Sequence, residues 1–236
     1  PDWTAWFTWS KIPSLTPFLA CEMLPGMHSY PIRIDKPLVS VVIPVGPGHE
    51  PYLQDALDSV IAQTFTQWEV IVVNDTGSRW GDKPDVLMGF PFVRLIDSGD
   101  NRGPSYARNR GIEAAQADYF VPLDADDYLQ PNALALLYSA VKETGGWVYS
   151  DWYDESGQPH ESLDWSAEKL VEHGQLGPVT AIYAVEDWKK AGGFDEEAPG
   201  WEDRDFHLRL LEHGICGTRL AFPLMTYRTS VSYTHL

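Results

Sequence analysis

Residues 38–45, LVSVVIPV, form an apolar run with a single polar side chain. A strand with one face in water alternates polar and apolar residues. A run of this kind is buried on both faces and needs a layer of structure above and below it. A second run, WEVIVVND at 68–75, follows after one amphipathic stretch. In that stretch Leu53, Ala56, Leu57, Val60 and Ile61 fall on one helical stripe, and Pro51 stands at its start, where a missing N–H costs nothing. Doubly buried strands joined by a helix are βαβ units, so the chain is constrained to a layered α/β architecture.

The pattern continues. FVRLID at 92–97 reads as a third strand, and PSYARNRGIEAAQA at 104–117 as a helix with Ala107, Gly111, Ala114 and Ala115 on a small-residue face. YFVPLD at 119–124 is a fourth strand. Leu134, Leu137, Tyr138 and Val141 stripe a helix after Pro131, and WVYSDW at 147–152 is a fifth strand. The expected fold is a doubly wound, mainly parallel sheet flanked by helices. Beyond Asp151 the regularity weakens, with helices expected at 186–193 and 201–214, the latter closed by Gly214 as the residue after its cap. Residues 1–37 carry Trp3, Trp6 and Trp9 with no period and are expected to form an arm or cap on the main domain, 38–229.

The 236 residues carry 17 Lys and Arg against 34 Asp and Glu, a net charge of −17. That excludes nucleic acid or an anionic membrane surface as a partner, since both need clustered basic residues. No apolar run approaches the ~18 residues of a membrane span. The two cysteines, Cys21 and Cys216, have no metal or redox spacing, which fits a reduced, cytoplasmic setting, with any membrane contact peripheral and made through a partner or a missing region. The chain opens at Pro1 rather than Met, so it is expected to be a piece of something longer.

The chemistry concentrates at strand ends. Asp75 ends the second strand, Asp97 the third and Asp124 the fourth, with Asp126 and Asp127 close behind. In open α/β sheets ligands sit beyond the carboxyl ends of the strands. Carboxylates that close repel one another unless a proton or cation intervenes, and hard oxygen donors suit Mg²⁺ or Mn²⁺. Taken alone, DADD at 124–127 is equally compatible with a solvated turn, because Asp favours turns and helix caps. Three further segments bear on the choice. VVNDTGS at 72–78 sets Asp75 beside a glycine turn, NRGPSYARNRG at 101–111 brings Arg102 and Arg108 to the same rim, and GGFDEEAPGWEDRD at 192–205 sets Glu202 and Asp203 at a helix start.

In this order these segments resemble the family 2 glycosyltransferases of the GT-A fold. That family's pattern is an apolar strand ending in Pro, then NDGS, NxGxxxARNxG, LDxDD, GGFDE and ED. The resemblance spans about residues 38–228. It implies an inverting transferase that moves a sugar from a nucleotide-diphosphate donor, a UDP-sugar, to a hydroxyl of a glycan, lipid-linked or protein acceptor. Pro44 and Val45 would end the first strand where base and ribose lie, and Asp75 would accept hydrogen bonds from the base. Asn101 and Arg108 would line the donor-phosphate side; helix capping and a structural ion pair to a rim Asp are the alternatives, the latter equally open for Arg108. Asp126 would contact Mn²⁺ or Mg²⁺ directly. Asp124 would reach the ribose or a metal-bound water, and Asp127 would support them or cap the next helix. Asp203 would be the general base, ionised at neutral pH as an unperturbed Asp is at ~3.9. Glu202 would hold the acceptor and Trp201 would stack on a sugar face. A resident cation would let an acidic protein hold an acidic donor.

There are departures from the pattern. The family carries an aromatic residue and Asn after the first-strand Pro, whereas Gly46 and Pro47 stand here in PVGPGHEPYL, with one extra residue before Leu53. A family YRxH ending, whose His completes the metal site, is YRTS here, with Ser230 in place of His. The last residues, VSYTHL, resemble translated adapter read-through. The native sequence is therefore expected to stop near Ser230, leaving 230–236 a non-native tail and the domain truncated. The remaining histidines, His49 among them, fall singly on loops or helices. Two other readings stay open: a sugar nucleotidyltransferase, against which GPGHEP offers glycines but no basic residue, and a nucleotide- or glycan-binding fragment without turnover. Acceptor choice would rest with residues 152–200.

Overall fold

The computed structural model describes residues 36–81, 85–198 and 200–228. Apart from Lys36 and Pro37, the expected arm lies outside these residues, as does the expected tail.

The two apolar runs become β1 (Val39–Val45) and β2 (Trp68–Asn74), and every residue of β1 is buried. β1 pairs in parallel with β2 from Val39 opposite Trp68 to Val45 opposite Asn74. On its other side β1 pairs in parallel with β4 (Tyr119–Pro122), while β3 (Arg94–Asp97) extends the sheet beyond β2. A two-residue β8 (Tyr183–Ala184) closes the far edge antiparallel to β4, giving the order β3-β2-β1-β4-β8. The chain winds outward from β1 to β3 and then returns across β1 to lay down β4. This reversal opens a crevice at the carboxyl ends of β1 and β4, where the flanking loops diverge.

Helix α1 (Leu53–Ile61) buries Leu53, Ala56, Leu57 and Val60, the expected stripe. Helix α2 (Pro104–Glu113) ends four residues before the expected 117. Tertiary bonds draw the backbone out of the helix there: the Arg94 guanidinium donates to the Ala114 carbonyl, and the Glu69 carboxylate accepts the Gln116 N–H at 2.6 Å. α2 lies so close to the sheet that a β-carbon at Gly111 would overlap Val42, so this helix position admits only glycine. Two residues earlier on α2 the buried Asn109 accepts the Phe194 N–H at 2.8 Å and the Trp188 indole N–H at 3.2 Å, and donates to the Phe194 carbonyl at 2.8 Å. One amide thus fastens the GGFDE segment to the ARN segment.

The fifth expected strand forms, as β6 (Trp147–Tyr153), but outside the main sheet. The place beside β4 is taken by β8, and β6 joins a second sheet with β5 (Tyr128–Leu129), β7 (Pro159–His160) and β9 (Gly217–Thr226), in the order β5-β9-β6-β7. β6 and β9 run parallel with register breaks around Asp151. A single bridge, Val148 to Ile182, links β6 to the segment that leads into β8. Helix α3 (Ala133–Thr144) packs Leu134, Leu137 and Val141 inward. Helices α4 (Ala167–His173), α5 (Val185–Ala191) and α6 (Glu202–Glu212) follow. α6 closes as expected, with the Gly214 N–H bonded to the Leu211 carbonyl at 2.8 Å and the Ile215 N–H to Leu210 at 2.9 Å. Among the described residues no helix is long and apolar enough to cross a membrane.

Candidate active site

Beyond β4 the Leu123 N–H still bonds to the Val42 carbonyl at 2.9 Å, so the main sheet holds the chain up to Asp124. The next turn is closed by the Asp127 N–H donating to the Asp124 carbonyl at 3.0 Å. Asp126 and Asp127 are buried, and Asp124 is largely so. Burial and the neighbouring Asp124 charge push the Asp127 carboxyl well above the usual range. Asp127 Oδ1 accepts the Arg228 N–H at 2.9 Å, while the following helix has Asn132 at its N-cap, so Asp127 does not cap it. Asp126 is raised by burial and then by Asp124, against the opposing influence of His49 and Arg228. His49 Nε2 stands 3.8 Å from Asp126 Oδ2.

Arg108, projecting from α2, is the hub of the site and only 3% exposed. Its Nη2 donates to Asp124 Oδ1 at 2.9 Å, and its Nη1 donates to Glu202 Oε1 and Asp203 Oδ1, each at 3.3 Å. One guanidinium therefore ties the β4 rim to the first turn of α6. This is the ion-pair role that the sequence left open for Arg108.

Asp203 differs from the sequence expectation of an ordinary, fully ionised carboxylate. Burial first, and then the charges of Glu202 and Asp124, lift it to about 7, with Arg108 acting in the opposite direction. Around neutral pH it is poised between acid and base forms. Glu202 Oε2 is buried and meets no hydrogen-bond donor among the described residues. A pocket of about 140 Å³ opens onto both groups, lined also by His173, Gln175, Trp201 and Arg204. Trp201 is 64% exposed, so it is no part of the core.

On the other flank, Asp75 follows β2 and is buried. Its two oxygens accept the Gly103 N–H at 2.7 Å, the Arg102 N–H at 3.0 and 3.1 Å and the Ser98 hydroxyl at 3.2 Å. Burial nonetheless leaves it above its ordinary value. It braces the loop that starts α2. In that loop Asn101 is exposed, and its side-chain oxygen accepts the Gly103 N–H at 3.3 Å. Pro44 and Val45 are buried in β1, and the Val45 carbonyl accepts the Asp75 N–H at 2.9 Å. They support the rim from beneath.

The rim thus brings together Asp124, Asp126, Arg108, Glu202, Asp203 and Trp201, with Asp75 and Asn101 one loop away. Two contributors were not picked out from the sequence. Asn109 stands in the ARN motif, and the motif was the only signal for it. His49 had none, because its partner is 77 positions away. The donor set fits a small hard cation: the Asp124 charge lifts the Asp126 and Asp127 carboxyls, which a cation would reverse. Among the described residues no three His, Cys, Asp or Glu side chains converge closely enough to hold a metal unaided.

Comparison with known proteins bears on this arrangement. The family model described as Glycosyl transferase family 2 matches residues 40–191. An uncharacterized glycosyltransferase of Rickettsia felis is 36% identical over 197 residues, covering 77% of this chain and 32% of that protein. The chondroitin synthase of Pasteurella multocida is 30% identical over 210 residues, 84% of this chain and 21% of the synthase. The chain therefore spans a third or less of these two relatives. Among solved structures, S. aureus TarS 1–349 in complex with UDP-GlcNAc superposes with a TM-score of 0.67 at 20% identity, covering 84% of this chain and 62% of that one. At that identity the likeness is one of fold.

Proposed function

Because this chain belongs to glycosyl transferase family 2, we propose that it transfers a sugar from a nucleoside-diphosphate donor to an acceptor hydroxyl at the rim described above, with inversion at the anomeric carbon. The observation that carries the proposal is the Arg108 array, which joins the carboxylates of the β1/β4 crevice to Asp203 in a single site. A UDP-sugar is the donor class suggested by the fold neighbour TarS, solved in complex with UDP and with UDP-GlcNAc.

Asp126 would hold Mn²⁺ or Mg²⁺ directly, with Asp124 reaching the ribose or a metal-bound water. Such an ion offsets the charge that develops on a diphosphate leaving group. The chain's own residues do the rest. Asp203, when ionised, accepts the proton of the acceptor hydroxyl as that oxygen bonds to the anomeric carbon and the bond from that carbon to the diphosphate breaks. The proton stays on Asp203 and the electron pair leaves with the nucleoside diphosphate. Arg108 stabilises the ionised form and fixes the direction of the carboxylate. Glu202 Oε2, buried without a donor, is suited to take a second acceptor hydroxyl, since leaving it unpaired costs on the order of 1–3 kcal/mol. Trp201 offers an exposed ring beside the pocket for the apolar face of a sugar.

The pH profile tests the proposal. A base must be ionised, and Asp203 loses its proton at about 7, so kcat/KM, which reports the free enzyme, should rise with pH up to a limb near 7. The assay is release of UDP from UDP-sugars with Mn²⁺ and a panel of oligosaccharide acceptors between pH 5 and 9. A rate that is flat from pH 5 upward rules out Asp203 as the base.

A further inference from the structure

We propose that His49 is a nitrogen ligand of the metal that the donor brings, held opposite Asp126 across the β1/β4 crevice. The inference rests on the metal-and-diphosphate reading above and adds to it a residue and a metal preference.

The loop after β1 is built to present this side chain. Gly46, Pro47, Gly48 and His49 form a turn in which the His49 N–H donates to the Gly46 carbonyl at 3.2 Å. Pro47 occupies the second position, which its ring pre-sets, and Gly48 the third with φ +83°. Those are the requirements of a type II turn. The His49 carbonyl then accepts the Tyr52 N–H at 3.1 Å and opens the 3-10 turn Glu50–Tyr52 that leads into α1. The GPGH sequence therefore forms a turn that is hydrogen-bonded on both sides of His49. Its imidazole is mostly buried, 17% exposed.

The chemistry across the crevice matches. Asp124 is held by Arg108 and Asp127 by the Arg228 N–H, which leaves Asp126 as the carboxylate facing His49. The 3.8 Å between Nε2 and Oδ2 exceeds the ~3.2 Å limit of a good hydrogen bond. It falls between the separations of two donors sharing one ion at bonds of ~2.1 Å, about 3 Å for adjacent positions and about 4 Å for opposite ones. An ion seated between them needs little movement of either group. Two protein ligands leave the remaining positions for diphosphate oxygens and water, so the site is complete only with donor bound. Imidazole suits transition metals, whereas Mg²⁺ strongly prefers oxygen, so His49 tilts the site toward Mn²⁺.

The test uses this chain with Mn²⁺ and UDP, and reads binding rather than turnover. Mn²⁺ affinity in the presence of UDP is measured by electron paramagnetic resonance for wild type, His49→Ala, His49→Gln and Asp126→Ala, with Mg²⁺ competition. Pulsed measurement of ¹⁴N coupling to the bound Mn²⁺ reports an imidazole ligand. The expected result is ¹⁴N coupling in the wild type that is lost in both His49 variants. Mn²⁺ affinity should fall by ~10–100-fold, the range seen when a metal's supporting residues are removed, with a smaller fall for Mg²⁺. If Asp126→Ala abolishes binding while His49→Ala binds Mn²⁺ as the wild type does and the wild type shows no ¹⁴N coupling, His49 is no ligand and the carboxylate site stands. If Asp126→Ala binds Mn²⁺ unchanged, or the wild type binds none with UDP, the metal reading falls and the proposal with it.

Discussion

Replacing Asp203 by Asn should lower kcat/KM for transfer at pH 8 by ~10²–10⁴-fold, the usual contribution of a positioned base, with UDP affinity unchanged. Asn keeps the shape and can still accept from Arg108, but it cannot take the proton. The same substitution should raise stability at pH 8. The folded pKa of Asp203, about 7, lies above the ~3.9 of an unfolded Asp, so the native state holds the proton more tightly. This contribution is complete below the unfolded value and is lost as pH rises through about 7. At pH 8 the wild type carries an ionised group that its surroundings disfavour, and Asn does not. Thermal unfolding should therefore show the variant melting higher at pH 8, with the gap closing toward pH 5. A variant that loses activity and also melts lower at pH 8 would contradict the assignment of Asp203 as a strained base.

The second large effect is expected at Arg108. Removing one member of a buried ionic cluster leaves uncompensated charge, at a cost of about 3–5 kcal/mol. Arg108→Met leaves Asp124, Glu202 and Asp203 facing one another without a counter-charge. Urea unfolding at pH 8 should show a loss of that size. The loss should be smaller at pH 5, where protonation relieves the repulsion. Arg108→Lys should recover only part of it, because a single ammonium cannot reproduce a fork that reaches two chain segments. A loss under about 1 kcal/mol at pH 8, the scale of an exposed ion pair, would mean that the three carboxylates are solvated independently.

The parts of this molecule that could be read from sequence are those with a local signature. β1 and β2 are buried on both faces, and their apolar runs say so directly. The α1 stripe and the Gly214 closure of α6 are also local patterns. β9 escaped because its middle is exposed at Ala221 and Phe222, and because Pro223 stands where its register with β6 breaks. That interruption erases the period of two that marks a strand. β5, β7 and β8, at two residues each, are too short to carry any period. The placing of β6 in a second sheet was not legible because periodicity reports burial and not which strand is the neighbour.

The site divides in the same way. Asp124, Asp126, Glu202 and Asp203 stand in motifs whose order is informative. What those residues experience is set by packing between distant segments. Asp203 departs from an ordinary carboxylate because α6 docks it, largely shielded, against Arg108 of α2 and near Asp124 of the β4 rim. Asp75 turned out to brace the loop at 101–103, a use fixed only once β2 and α2 are adjacent.

The most direct test of the central claim is calorimetric titration of UDP into this chain with and without Mn²⁺, alongside Asp126→Ala. Binding that needs Mn²⁺ and disappears in the variant, while the variant unfolds at the wild-type temperature or above, is the expected result. UDP binding that is indifferent to both the metal and Asp126 would place the nucleotide elsewhere and contradict the account.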